Sequence, residues 1–542
     1  VRVRQRIFCA ALAVCAPICV SPARALASAS QESVLMDDDH LIYSSPNQVA
    51  RTLGQIASLG VDRVKVSLVW SIVAPSARSK RRPHFDAANP AAYPHGAWDR
   101  YDMIVRLAQE LGMSVYFEIN PPAPAWAVSN TQRRQGYAWS QFPSALEYRE
   151  FVRAAGRRYS GAYVATVPRN EPPPSLLGIP LPLQKPPPPA GQPDPIPRVD
   201  FWGIWNEPNE ASWLNPQWEG SGSHTVFVGP RLYRDLVNAA WEGLDSTGHG
   251  GDTIVIGETA SRGWILPLRF VQDLYCINGS GRPLTGGAAA QVQCPTSGAR
   301  GSFVANNPGL FNITGYAHHP YSFDHRPNWR PPLGWVTLQN LGSLEHLLTR
   351  AFNGYGQRTR GVPLYLTEWG YKTNPPNPFA RTSLQDQAQW LNQGEYMTYS
   401  APYVRSLTQF LLFDDHPNTG FRRGSRAYWG PPATGLEFTN GTPKPAYDAY
   451  RIPVWVPSTH RSSRLMIWGQ LRPANHGELQ TGVIEFRRRA GERWKSVRVV
   501  QTANPRGFFI AHVSIRSAGM IRVALFDPHG DDVDYSRTVR IR

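Results

Sequence analysis

The 542-residue sequence predicts an α/β fold, a (β/α)8 ring followed by an antiparallel β-sandwich domain, and three observations lead to it. Strand-like apolar runs alternate with amphipathic helical stretches over about 400 residues, the pattern of βα units feeding a parallel sheet. Eight such units can be placed, the number that closes a TIM barrel. From Trp455 onward the texture changes to short runs separated by turn residues, the spacing of an all-β sandwich of immunoglobulin or fibronectin type.

The elements follow in chain order. Residues 1–27 read as an export signal: Arg2, Arg4 and Arg6 form a basic start, Ile7 to Val20 an apolar stretch, and Ala23-Arg24-Ala25 and Ala25-Leu26-Ala27 small-x-small cleavage sites. Ile18 is a poor residue before a lipid-anchored Cys19, so a secreted, extracellular protein without a membrane span is expected. The barrel is expected over 34–452. Val34 to Ile42 reads as the first strand, Pro46 to Leu59 as a helix stopped by Gly60, and Val61 to Val69 as the second strand. Trp98 to Leu111 is helical, with Ile104, Leu107, Ala108 and Leu111 on one face. Met113 to Ile119 is the third strand, and Ser144 caps a helix to Tyr159 with Glu147 at capping-box spacing. Residues 167–198 are too rich in proline for a helix or central strand and read as a surface excursion. The remaining strands are expected at Val199 to Trp205, Thr253 to Gly257, Ile313 to Ala317, Pro363 to Thr367 and Leu407 to Phe413. Helices are expected at Arg231 to Leu244, Leu266 to Leu274, Leu338 to Phe352, Gln385 to Tyr399 and Ala446 to Arg451. The domain at 455–542 carries six short strands and nothing that looks catalytic.

Composition bounds the function. Hydrophobic residues make up 42% of the chain and charged residues 18%, enough for a large core and too few charges for wholesale disorder. The 18 Trp suit stacking on sugar faces, although core packing accounts for most of them. The formal charge of +16 falls to +12 without the four arginines of the leader, and from Trp455 on 15 Lys and Arg face 7 Asp and Glu. Such a surface suits an anionic cell-wall or extracellular glycan as readily as it is merely solvated, and export argues against nucleic acid as a partner. Outside the leader only Cys276 and Cys294 remain, and an exported pair suggests one disulfide worth roughly 3 kcal/mol.

Active sites of such barrels form where strands run out. The fourth strand ends in Trp205-Asn206-Glu207-Pro208-Asn209 and the seventh in Leu366-Thr367-Glu368-Trp369-Gly370. Two carboxylates facing across one mouth are what glycosidic cleavage needs, one to protonate the leaving oxygen and one to attack or to activate water. The chain resembles clan A glycoside hydrolases, most closely the family 39 and family 5-like retaining enzymes. Trp70 to Pro75, Trp98 to Asp102, Pro124 to Ala127, His319-Pro320-Tyr321 and Lys444 to Tyr447 agree with that resemblance in order. It implies Glu207 as acid/base, Glu368 as nucleophile, Asn206 on the sugar 2-hydroxyl, Tyr321 orienting Glu368, and His319 touching substrate or the acid/base. Trp126 and Trp369 become candidate sugar platforms, with a core role for Trp126 equally open.

Two departures stand out. The position where the family carries an arginine near the nucleophile is Lys65, with Arg63 two residues earlier; Lys65 keeps the charge and loses the bidentate fork. The eighth strand ends Phe413-Asp414-Asp415-His416 where many clan members have a tryptophan. Adjacent His318 and His319 point to opposite faces of a strand, so no metal site is expected, nor any cofactor. Glu118 and Asp102 are expected to be structural. The sequence leaves open a non-catalytic carbohydrate-binding barrel and a transglycosylase using the same glutamates. The expected partner is a poly- or oligosaccharide, and the protein is expected to be a monomer.

Overall fold

The computed structural model describes residues 28–129, 137–165, 194–297, 299–474, 479–526 and 533–542. The leader at 1–27 and residues 167–193 of the proline-rich segment lie outside the described residues.

Eight parallel strands close a barrel: β1 (Glu32–Met36), β2 (Arg63–Val69), β3 (Ser114–Asn120), β4 (Phe201–Ile204), β5 (Thr253–Ala260), β6 (Gly315–His319), β7 (Leu364–Trp369) and β8 (Val404–Phe410). Each pairs with its neighbours in sequence, and β8 returns to β1 with Glu32 opposite Ser406. Helices α1 (Pro46–Ser58), α2 (Asp99–Glu110), α3 (Ala145–Arg158), α4 (Gly229–Asp245), α5 (Pro267–Leu274), α6 (Leu341–Gly354), α7 (Leu384–Tyr399) and α8 (Pro445–Arg451) cover the outside. One continuous apolar layer between strands and helices forms the main core, from Leu35 and Val66 to Leu391 and Tyr450.

The capping chemistry is visible at α3: Ser144 accepts from the Glu147 backbone N–H at 3.3 Å. The reciprocal half of the box is not made, because the Ser144 N–H donates to the Ala127 carbonyl at 2.8 Å, and the Glu147 carboxylate accepts from Arg82. The first strand is shorter than its apolar run suggests. Asp37 ends it by accepting from the His40 N–H and starting a helical turn at Asp38–Leu41, and its other oxygen takes the N–H groups of Leu412 and Phe413. The eighth strand stops at Phe410 because Leu411 turns left-handed at φ 76°.

Two inward layers fill the barrel. At the lower end Tyr116, Phe201, Val255, Ala317 and Tyr365 pack together above Arg63, whose guanidinium lies 4.9 Å from the Phe201 ring centre. The layer above is polar and carries the site. Cys276 and Cys294 are joined as a disulfide, with Cα atoms 5.7 Å apart.

The chain then forms β9 (Val454–Trp455), β10 (Ser462–Gln470), β11 (Gln480–Arg487), β12 (Lys495–Thr502), β13 (Phe508–Ile515), β14 (Gly519–Phe526), β15 (Val533–Tyr535) and β16 (Val539–Ile541). They make two antiparallel sheets, β9-β10-β13 and β12-β11-β14-β15 with β16 also on β14. Ile467, Val513, Ile484, Val523 and Ile541 from both sheets share one core. Among the described residues no helix is long and apolar enough to cross a membrane.

Candidate active site

The upper layer starts at a backbone irregularity. Trp205, Glu207 and Glu258 adopt φ of 66°, 36° and 44°, costly for residues with side chains, and such strain gathers where a site is built. Gly257, at φ 110°, cannot be replaced by a larger residue, since a Cβ there would sit 2.5 Å from the Tyr316 ring. The β5–β6 register slips between Ile256 and Thr259, which turns Glu258 into the barrel. The Glu207 N–H donates to the Glu258 carbonyl at 2.9 Å, tying the two turns together. Asn209 sews the loops: its Oδ1 accepts from the Ala260 N–H and its Nδ2 donates to the Ile265 carbonyl.

Glu207 and Glu368, far apart in sequence, come together here. One oxygen of each and a nitrogen of His319 all lie within 4.8 Å of one another. His319, fully buried, contacts Glu207 Oε1 through Nδ1 at 3.0 Å and Glu258 Oε2 through Nε2 at 3.0 Å, with Glu368 Oε2 at 3.6 Å from Nδ1. Tyr321 donates its hydroxyl to Glu368 Oε2 at 3.1 Å. Lys65 Nζ stands 3.1 Å from Glu118, 3.5 Å from Glu258 and 3.6 Å from Glu368. Glu118 also accepts from Asn120 at 2.8 Å. Glu258 accepts from Tyr116 and Thr367 as well. Gly203 makes room for this contact, because a Cβ there would meet the Tyr116 hydroxyl at 2.2 Å.

The charges follow from this packing. Burial pulls His319 down, but the Glu368 charge and the bonds to Glu207 and Glu258 outweigh it and push the imidazole up to about 10. Burial pushes Glu258 up, yet Lys65 and His319 together hold it down at about 2. Glu118 is pushed above the carboxylate range by burial against the pull of Lys65. Lys65 is raised despite its burial by Glu118, Glu258 and Glu368. Both Glu118–Glu258–His319 and Glu207–His319–Glu368 have the spacing of metal ligands. In each, a charged Lys65 or a doubly protonated His319 already supplies the positive charge a cation would bring. His318, on the other face of β6, bonds Thr259 and the Val336 carbonyl and stays out of the site.

Of the other predicted residues, Asn206 is buried and its Oδ1 has no hydrogen-bond partner. Trp369 is not exposed to sugar: at 1% exposure it points out of the barrel and packs on Tyr371, with its ring edge against Gly394 of α7. Trp126 is half-buried, donates to the Pro75 carbonyl at 3.0 Å and sits edge-on to Trp70 and Phe85, apart from the cleft lining. Asp102 pairs with Arg158 on the barrel exterior. Arg63 pairs with Glu32 and Asp200 at the lower end. Asp414 is spent on Lys444 at 2.6 Å.

Two residues were missed. Glu258 lies one position past where the fifth strand was expected to stop; a carboxylate just beyond a strand end was the available signal. Glu210, three residues after Glu207, shares the cleft, where burial and the Glu207 charge raise its carboxyl to about 7. The cleft has a volume of about 540 Å³ and is lined by Glu207 and Tyr321 together with Phe323, Phe379, Phe410 and Trp429. Trp429 comes from the loop after β8, on the side where a strand-end tryptophan is lacking.

No family model matches the chain, and no curated protein does. Among solved structures, the chain is similar to a GH39 β-xylosidase from Caulobacter crescentus, with 12% identity, TM-score 0.46, and 91% of this chain and 95% of that one covered. It is similar to a GH39 enzyme from Xanthomonas axonopodis pv. citri at 12% identity and TM-score 0.44, covering 91% and 93%. A family 1 β-glucosidase from Thermotoga maritima overlaps at 12% identity and TM-score 0.46, covering 78% and 97%. Likeness of this size assigns neither family nor substrate, and the chemistry is read from the residues themselves.

Proposed function

We propose that the protein is a secreted retaining glycoside hydrolase that cleaves O-glycosidic bonds of a poly- or oligosaccharide, with Glu207 as acid/base and Glu368 as nucleophile. One observation carries the reading: oxygens of the two carboxyls lie within 4.8 Å of each other at the mouth of an eight-stranded barrel. A double displacement needs carboxyls about 5 to 5.5 Å apart, whereas an inverting enzyme leaves about 6.5 to 9.5 Å for a water. The leader and the disulfide support export.

In the first step an oxygen of Glu368 attacks the anomeric carbon. The bond to the leaving oxygen breaks, and its electron pair takes the proton of Glu207. In the second step Glu207, now ionised, removes a proton from water as the water oxygen displaces Glu368. The surroundings fit these roles. Ionised Glu258 holds the Nε2 side of His319, so Nδ1 is the nitrogen that shares a proton with Glu207. Tyr321 and Lys65 hold the Glu368 charge on separate oxygens and aim it. The unpartnered Asn206 Oδ1 is the acceptor for a sugar 2-hydroxyl.

The test is hydrolysis of a glycan panel by the wild type and by the Glu207→Gln and Glu368→Gln variants. Each substitution should cost at least 10²-fold, general acid–base assistance alone being worth about 10² to 10⁴. The first product should keep the anomeric configuration, read by NMR. Wild-type rates in both variants, or an inverted product, would end the proposal.

A further inference from the structure

We propose that the cleft receives a sugar unit bearing an oxyanion beside the cleavage point, with Lys372, Arg262 and Arg426 as its receptors. The inference rests on the glycosidase reading for its location and names the substrate class for it. The three cations enter from three walls. Lys372 lies four residues beyond Glu368, Arg262 four residues beyond Glu258, and Arg426 on the loop after β8, and all three line the cleft with Glu207 and Tyr321.

Most of their donors are unspent. Among the described residues none of the three forms an ion pair, whereas the buried Lys65 of the layer below touches three carboxylates. Lys372 Nζ gives one hydrogen bond, to the Gly430 carbonyl at 2.6 Å. The Arg262 guanidinium rests 4.4 Å from the Phe323 ring centre and 5.0 Å from that of Trp335, and Arg426 lies 4.6 Å from Phe379. Rings fix a guanidinium plane without using its edge N–H groups, which remain free for a bidentate oxyanion.

The acids nearby do not cancel the cations. Glu210 acts on Arg262, and Asp324 and Asp415 on Lys372, through space and beyond ion-pair range. Burial makes the Lys372 ammonium costly to keep charged, and those two acids only partly offset the cost. A neutral glycan would desolvate these groups further and return only hydrogen bonds to hydroxyl oxygens, with no opposite charge. A carboxylate or sulfate ester on the sugar would return charge-assisted hydrogen bonds, and the apolar walls from Phe379 and Trp429 would take the ring face.

The experiment is equilibrium binding to the full-length Glu368→Gln variant, so that turnover does not enter. The probes are oligogalacturonate, oligoglucuronate and oligomannuronate, each beside its carboxyl-reduced form, with a sulfated galactan oligosaccharide as the second oxyanion source. At least one acidic probe should bind at least about tenfold more tightly than its neutral twin, with affinity falling as salt rises. Lys372→Met and Arg426→Gln, each on that background, should each remove most of this preference. Preference for a uronate over the sulfated probe assigns a carboxylate; the reverse assigns a sulfate ester. Equal binding of acidic and carboxyl-reduced twins, no binding of any probe, or a preference untouched in both variants would overturn the inference. The glycosidase reading is judged separately, by hydrolysis in the wild type and its loss in Glu368→Gln, and it survives if neutral glycans are the ones cleaved.

Discussion

Replacing Lys65 by methionine tests whether the polar layer is held by a charge or only by packing. Lys65 Nζ is fully buried and lies 3.1, 3.5 and 3.6 Å from three carboxylates. At an effective dielectric of about 20, each pair with an ionised carboxylate carries about 5 kcal/mol of gross Coulomb attraction. Burying the ammonium and its partners costs several kcal/mol per ion, which cancels most of that sum. What remains is the penalty of leaving buried carboxylates without a countercharge, about 3–5 kcal/mol at neutral pH. Lys65→Met is nearly isosteric, so little of the loss can come from a cavity. The assay is urea unfolding followed by tryptophan fluorescence, run at several pH values. The deficit should narrow as the pH falls, because Glu258, no longer held down by Lys65, can then neutralise itself by taking up a proton. Lys65→Arg keeps the charge and should lose about 1–3 kcal/mol to overpacking, with little pH dependence. A Lys65→Met protein as stable as the wild type at neutral pH, or a deficit that stays constant on acidification, would show that Lys65 does not hold the layer together.

Tyr321→Phe removes the donor to Glu368 and nothing else of size; kcat should fall about tenfold while KM holds, checked by steady-state kinetics on whichever glycan is cleaved. Stability should also depend on pH through two buried groups. His319 is raised from 6.5 to about 10, so its contribution is full below pH 6.5 and is lost as the pH climbs toward 10. Glu258 is lowered from 4.5 to about 2, so its contribution is full above pH 4.5 and is lost as the pH drops toward 2. Thermal melts should be most favourable between those limits, and Glu258→Gln should flatten both flanks. At Gly394 an alanine would gain about 1 kcal/mol in an open helix, but here its Cβ would meet the Trp369 ring at 2.1 Å, so Gly394→Ala should lower the melting temperature.

What could be read beforehand was set by short-range pattern. WNEPN and LTEWG sit at strand ends, and a parallel barrel delivers strand ends to one mouth, so Glu207 and Glu368 were within reach of a sequence argument. Trp369 was misjudged although the information was there: it follows Glu368 on a strand, and successive side chains alternate, so a glutamate facing inward sends the tryptophan outward into the helix layer. The same alternation puts Arg63 and Lys65 both inside, with Arg63 at the lower end, which is why only Lys65 reaches Glu368. Glu258 was out of reach for a different reason. It is aimed by a slipped register and two left-handed residues, Gly257 and Glu258, and periodicity assumes a regular strand. The cleft cations and Trp429 sit on loops, whose positions depend on contacts from elsewhere in the barrel.

The basic excess of the C-terminal sheets bears on what that region does. Part of it is spent inward. Arg506 reaches Glu32 at 3.2 Å and also Asp62, at the lower ends of β1 and β2, and Arg472 reaches Glu395 of α7 at 2.9 Å. Trp468 and Phe508 pack on Tyr399 at the end of the same helix, and Gly60 leaves room for Arg472 and Pro473 against the turn before β2. These contacts lie at the side and lower end of the barrel, away from the mouth, and the lining of the cleft runs only from Glu207 to Thr434. The two sheets therefore brace the barrel from below. Arg506→Ala should accordingly cost stability through Glu32 and Asp62 while leaving KM for a short oligosaccharide unchanged. A raised KM at unchanged stability would place this region within the binding path and refute the bracing role.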